Sequence, residues 1–168
     1  MIAVKLEHRE AMADGPRYDD DFYAWTQHQA AVVRALPVTD NRFDREHVAE
    51  EIEDLGKSER DAVRSQIRRV IEHLLRLAYS SAEQPRLDWM DTIDVARQIL
   101  ADKVAATLRR DSEAGLPGLY AQARRQAARS LRRHDEASAA DALPQASPYS
   151  LDDVCREDWY PERPGAKR

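Results

Sequence analysis

The sequence predicts an all-α fold: a single-domain helical bundle of four main helices around one long second helix, plus a short C-terminal helix. Three observations predict it. Only 5 of the 168 residues are Gly, charged residues make up 34% of the chain, and apolar side chains recur at three- and four-residue spacing. Glycine-poor chains with charge well above the typical ~25% favour long solvated helices over sheets. A chain of 19.2 kDa is long enough to bury a real core, roughly 70% of the surface its unfolded form exposes. With 26 Lys+Arg against 31 Asp+Glu the net charge is −5, which excludes a globally basic nucleic-acid binder.

Residues 1–17 mix charges with Met12, Gly15 and Pro16 and hold no sustained period, so a flexible arm is expected there, before a domain over 18–161 and a flexible tail over 162–168. Asp19, Asp20 and Asp21 offer an N-cap for a first helix, marked by Phe22, Trp25, Gln29, Val32, Val33 and Leu36 and stopped by Pro37. Asp44 caps the second helix, which contains Gly56. Because a helix turns about 100° per residue, a break would reset the apolar stripe. With Val48 at zero, Ile52, Val63 and Val70 fall at about +40 to +60° and Leu55 and Ala62 at about −20 to −40°, all in one sector. That predicts one helix over about 44–79, about 54 Å long, in which Gly56 costs about 1 kcal/mol relative to Ala. The competing arrangement has Gly56 as a C-cap and Ser58 starting a new helix.

Trp89, Ile93, Ala96, Leu100, Val104 and Leu108 mark a third helix running to a loop at Asp111–Gly115. Pro117 opens a fourth, whose narrow face of Tyr120, Ala123, Ala127 and Leu131 lets another helix approach closely before the element ends near His134. Residues 135–149 read as an extended crossing, and Ser150 with Asp153 starts a short helix to about Arg156. Trp159 and Tyr160 are expected to tie the tail down.

Cys155 is the single cysteine, so no intramolecular disulfide can form, which suits a reducing compartment. Its neighbours Asp152, Asp153, Glu157 and Asp158 disfavour a thiolate nucleophile. Met1–Glu7 lacks a signal-peptide core and no run of ~18 apolar residues occurs, so a cytoplasmic protein without a membrane span is expected. No Gly-x-Ser-x-Gly, phosphate loop or dinucleotide fingerprint occurs, and no cofactor is expected.

Four sets of residues carry candidate chemistry. Glu50, Glu51, Glu53 and Asp54 form an acidic cluster that, with His47, has metal-ligand spacing, yet it falls away from the apolar stripe, where a solvated charged face is expected. Glu50 and Glu53 match half of the motif that holds Mg²⁺ in all-α nucleotide pyrophosphohydrolases; Asp88, Asp91 and Asp94 stand where the other half belongs, too widely spaced. The His134–Asp135 doublet suits a helix terminus as well as a phosphohydrolase. Glu59, Gln66 and His73 fall in or beside the apolar sector at seven-residue steps, a buried polar seam in which Glu59 needs a partner. Arg124, Arg125, Arg129, Arg132 and Arg133 form an anion- or nucleic-acid-contacting set on the fourth helix, with no acid between Gly118 and His134.

The runs Tyr18–Trp25, Ala49–Arg60 and Glu72–Leu75, continued by Trp89, Thr92-Ile93 and Pro148-Tyr149 to Pro161, make the chain similar to the bacterial family designated domain of unknown function twenty-nine. The resemblance implies a compact helical fold and brings no established activity or cofactor. The family's Glu-Glu-Ile-Glu and Gly-Lys-Ser-Glu-Arg patterns fall on Glu50–Glu53 and Gly56–Arg60, and His73 also matches. Two departures stand out: His47 replaces the usual Asn, and Ser147 replaces a Cys that often precedes Pro-Tyr. The first weakens a His47 metal site, and the second argues against a family-wide thiol mechanism.

The function these observations favour is a non-catalytic protein–protein interaction module, the alternatives being a metal-dependent hydrolase at the acidic cluster and nucleic-acid binding through the Arg-rich fourth helix. Residues 44–61 carry eight acids and three bases while 62–79 carry four bases and one acid. Acids early and bases late suit the helix macrodipole, and they also make an antiparallel pair of second helices self-complementary, as in a homodimer. The acidic half pairing with the Arg-rich helix of the same chain competes with that arrangement.

Overall fold

The first helix, α1 (Phe22–Ala35), starts because the Asp21 carboxylate accepts a hydrogen bond from the Ala24 N–H at 2.9 Å. It is followed by α2 (Arg45–Tyr79), α3 (Arg86–Lys103), α4 (Ala106–Arg133) and two five-residue helices, α5 (Ala137–Asp141) and α6 (Leu151–Cys155). The structure is a computed structural model that describes residues 15–37 and 39–163; residues 1–14 of the expected arm and 164–168 of the expected tail lie outside it. Among the described residues every regular element is a helix, as the composition predicts, and no helix is long and apolar enough to cross a membrane. The described residues group into two compact units, 15–60 with Ala105–Leu108, and Asp61–Val104 with 109–163.

Small residues hold the first unit. Thr26, Ala30 and Ala49 are fully buried, and a Cβ at Gly56 would stand 2.1 Å from the Thr26 Oγ1. Gly56 therefore does not stop α2. It is the gap into which the hydroxyl-bearing face of α1 fits, while the Thr26 hydroxyl itself donates to the Tyr23 carbonyl at 2.7 Å. Near the end of α1, Arg34 is hydrogen-bonded to Glu53 and lies 3.6 Å from Glu46, tying the two helices together by charge. Tyr18, Phe22 and Trp25 form an edge-to-face and stacked cluster with centroids 4.9–6.0 Å apart.

Large apolar residues hold the second unit. Val63, Ile67, Val70, Leu74 and Leu77 of α2 are buried at alternating four- and three-residue steps, and Ile93, Ala96 and Leu100 of α3 and Ala123, Ala127 and Leu131 of α4 complete the core. Among the described residues Arg97 is the charged exception, a guanidinium only 2% exposed. It donates to the carbonyls of Val154 (3.0 Å), Asp153 (3.1 Å) and Trp159 (2.8 Å) and stacks 5.6 Å from the Tyr160 ring, whose hydroxyl donates to Asp94 at 2.6 Å. The tail is thus pinned at Trp159 and Tyr160, as expected, and again at Arg163, which pairs with Glu83 at 2.7 Å.

Three boundaries differ from expectation. The third helix stops at Lys103, and the expected loop at 111–115 is helical, with Gly115 and Pro117 both inside α4. The reason is tertiary: the second Asp21 carboxylate oxygen accepts from the Thr107 N–H at 3.0 Å, capping α4 from a distant loop. Asp111 is then gripped by the Arg64 fork through two bonds of 3.0 Å, and Ser112 is fully buried. Those contacts outweigh the cost of about 3 kcal/mol that a proline imposes on a helix interior. In the crossing expected to be extended, α5 forms one short turn. The capping box of Ser150 and Asp153 opens α6 as predicted.

Candidate anion-binding site

The apolar stripe of α2 is centred where the sequence alone did not put it. Ala49, Gly56, Val63, Ile67 and Leu74 are buried and lie at about +60 to +100° from Val48, whereas Val48 and Leu55 are 37% and 56% exposed. Small side chains mark the first half of the stripe and carry little hydrophobic signal. This shift moves Glu59, Gln66 and His73 to its edge, so each is half-buried rather than enclosed. Glu59 is not an isolated charge, and Gln66 accepts a long hydrogen bond from Arg69 at 3.5 Å.

The acidic cluster does not converge. Glu50, Glu51 and Asp54 are exposed, Glu53 is engaged by Arg34, Asp54 by Lys57 at 2.7 Å, and His47 by Asp44 at 2.6 Å. Among the described residues no three His, Cys, Asp or Glu side chains come together as a metal site requires. The hydrogen bond from Arg34 holds the Glu53 carboxyl below its usual range. Of the third-helix acids, Asp94 serves Tyr160. His134 and Asp135 form a helix stop: Asp135 is left-handed at φ 61°, and the Glu136 and Asp135 N–H groups return to the carbonyls of Leu131 and Arg132. Cys155 is half-buried, and burial more than its acidic neighbours pushes its thiol up.

The arginines do converge, within the second unit. Arg68 and Arg69 of α2 and Arg125 and Arg129 of α4 line a cleft of about 470 Å³ together with Glu72, His73, Gln122 and Gln126. Arg68 donates to Gln122 at 2.6 Å and Arg129 to Gln126 at 3.4 Å, bonds to neutral amides that cancel no charge. The one carboxylate of the cleft, Glu72, is spent on Arg76 four residues along. His73 is pushed down to about 4, by burial first and then by Arg76 and Arg69, so its ring is neutral at pH 7. Its buried Nδ1 has no hydrogen-bond partner among the described residues.

The five arginines singled out on the fourth helix also border a second, wider cleft of about 690 Å³. Two of them are structural: Arg124 donates to the Leu143 carbonyl at 3.2 Å, and Arg132 pairs with Asp141 at 2.8 Å. Arg125 and Arg129 face both clefts, and Arg133 has no acidic partner among the described residues. Sequence reasoning found the α4 half of this face and missed Arg68 and Arg69. The signal was available, since both lie on the polar side of a helix whose other face is apolar. A third cleft, of about 460 Å³, holds Arg76 over the Trp89 ring at 6.0 Å, but both its carboxylates are consumed, Glu136 by Ser80 and Ser81 and Glu83 by Arg163.

Fold and site together define an all-α protein whose second unit bears a guanidinium-rich surface. The chain belongs to the family described as Domain of unknown function DUF29, whose model matches residues 17–160, as the sequence resemblance implies. Its fold is similar to that of an α-helical protein of unknown function from Rhodospirillum rubrum, with a TM-score of 0.74 at 24% identity over 86% of this chain and 92% of that one. No curated protein matches the chain.

Proposed function

We propose that this protein is a non-catalytic interaction module and that its docking surface is the arginine face of α4, which takes an acidic protein surface. The observation that carries this reading is charge without compensation: Arg125, Arg129 and Arg133 share one surface with no acidic partner among the described residues, in a chain whose net charge is −5. Exposed like charges held close repel one another unless a partner of opposite sign covers them. The metal-dependent hydrolase reading loses its support because Glu53 and Asp54 are engaged by Arg34 and Lys57 and, among the described residues, no three potential ligands come together. Nucleic acid is the less favoured partner, since neither arginine-lined cleft presents an aromatic ring for base stacking.

One acidic surface is supplied by the protein itself. Glu51 is exposed on the first half of α2 beside exposed Val48 and Leu55, an apolar and acidic patch suited to the arginine face of a second copy. Fluorescence anisotropy with an oligo-glutamate peptide and with single-stranded DNA, read beside light scattering at low and high salt, tests both statements. We expect salt-sensitive peptide binding that Arg125→Glu with Arg133→Glu abolishes, and a dimer that dissociates as salt screens the charges. Tight DNA binding without peptide binding overturns the reading in favour of nucleic acid. A monomer at every salt removes only the self-association.

A further inference from the structure

The smaller arginine-lined cleft asks for more than a docked protein surface. Arg68 and Arg69 project from one helix and Arg125 and Arg129 from another into a space of about 470 Å³. Four guanidiniums face a volume whose carboxylate is already neutralised by Arg76. A single carboxylate ligand would leave most of that charge unmet, whereas a phosphoryl dianion presents three strong acceptors to planar forks built to bind it in pairs. The space exceeds what a bare phosphate fills and lies within the range of small-molecule clefts. Its remaining lining chooses the body of the ligand: Ser65, Gln122 and Gln126 offer hydrogen bonds to hydroxyls, and no aromatic ring is present to hold a nucleobase.

We propose that this cleft binds the phosphate monoester of a small polyhydroxylated, non-aromatic molecule. His73 reports the occupant. It borders the cleft with an unpartnered buried Nδ1, and the charged groups around it are Glu72, Arg69 and Arg76 from its own helix and Arg125 and Arg129 from the facing one. A bound dianion offsets the Arg76 and Arg69 charges that, after burial, hold the His73 titration midpoint down, so the midpoint rises when the cleft is occupied. This inference goes beyond the docking of an acidic protein, and Arg68 and Arg69 separate the two, since they line this cleft and not the wider one.

Isothermal titration calorimetry with glucose 6-phosphate, inorganic phosphate, glucose and AMP on the full chain tests it. We expect glucose 6-phosphate to bind at least about tenfold more tightly than inorganic phosphate and than AMP, and glucose not to bind at about 10 mM. Arg68→Ala and Arg125→Ala should each weaken glucose 6-phosphate by about tenfold or more. Arg42→Ala, at an exposed residue of the first unit outside both clefts, should leave it within about twofold. In the wild-type protein the NMR titration midpoint of His73 should rise by about one unit or more on saturation with glucose 6-phosphate. The proposal is overturned by an absence of phosphate-ester binding, by AMP binding as tightly as the sugar phosphate, or by binding that Arg68→Ala leaves intact. In each of those cases the peptide experiment still decides the docking surface independently.

Discussion

The two halves of α2 belong to one helix and are stabilised by different physics. In the first unit α2 buries Ala49 and Gly56, side chains with almost no area to bury, and relies on close backbone approach and on ion pairs such as Arg34–Glu53. In the second unit it buries Val63, Ile67, Val70, Leu74 and Leu77, each removing enough apolar surface to contribute roughly 1.5–3 kcal/mol. A continuous helix can therefore be locally all charge and small residues in one region and a hydrophobic spine in another. What joins the regions is backbone phase, not composition.

That contrast predicts where substitutions act, beginning with the largest effect. Arg97→Ala in the second unit leaves three carbonyls without their buried donor and opens a cavity, and it should destabilise by about 3 kcal/mol or more. Urea denaturation measures this, and hydrogen exchange should show the amides of α6 and the following tail losing protection first. A loss smaller than that for any first-unit substitution would break the comparison.

Gly56→Ala comes next. Helix propensity alone makes this change stabilising by about 1 kcal/mol, whereas the collision with Thr26 makes it destabilising by about 1–3 kcal/mol, so the sign of the measured change separates the two. Adding Thr26→Ala should return part of the loss. A stabilised Gly56→Ala protein would mean that close approach does not hold the first unit.

The smallest effect is at Arg34. Its pairing depresses the Glu53 carboxyl, so the contribution of the pair is present above the unfolded value of about 4.3 and is lost as pH falls through the lower folded value. Arg34→Ala should lower stability slightly at neutral pH, less so in high salt, and not at all near pH 2. His73 shifts the opposite way for its charge: its folded value of about 4 means that the second unit loses stability between about pH 6.5 and 4, before Glu53 titrates. Urea midpoints across pH 7 to 2 in wild type, Arg34→Ala and His73→Gln resolve the two windows.

Much of this is legible in the sequence alone. The helical class, the unbroken passage through Gly56, the Asp21 cap, the capping box at Ser150 and the pinning of Trp159 and Tyr160 all follow from local chemistry and period. The α4 half of the arginine face was legible too, because five bases without an intervening acid are visible in one dimension. Arg97 went unread although it stands four residues after Ile93 and three before Leu100, inside an apolar stripe, and the α2 half of the cleft went unread because polar residues on a helix's outer side look like ordinary solvated charge.

The sequence by itself determined which segments are helical and where charge accumulates, since both depend on neighbours within one or two turns. Tertiary structure decided the rest. It set the centre of the α2 stripe on residues too small to signal burial, and it carried α4 through Gly115 and Pro117 because the cap at Thr107 and the grip on Asp111 come from Asp21 and Arg64, 86 and 47 residues away in the chain. It also brought Arg68 and Arg69 to face Arg125 and Arg129 across one cleft. Contacts at such separations leave no periodic trace, because their free energy depends on distance in space and not on spacing along the chain.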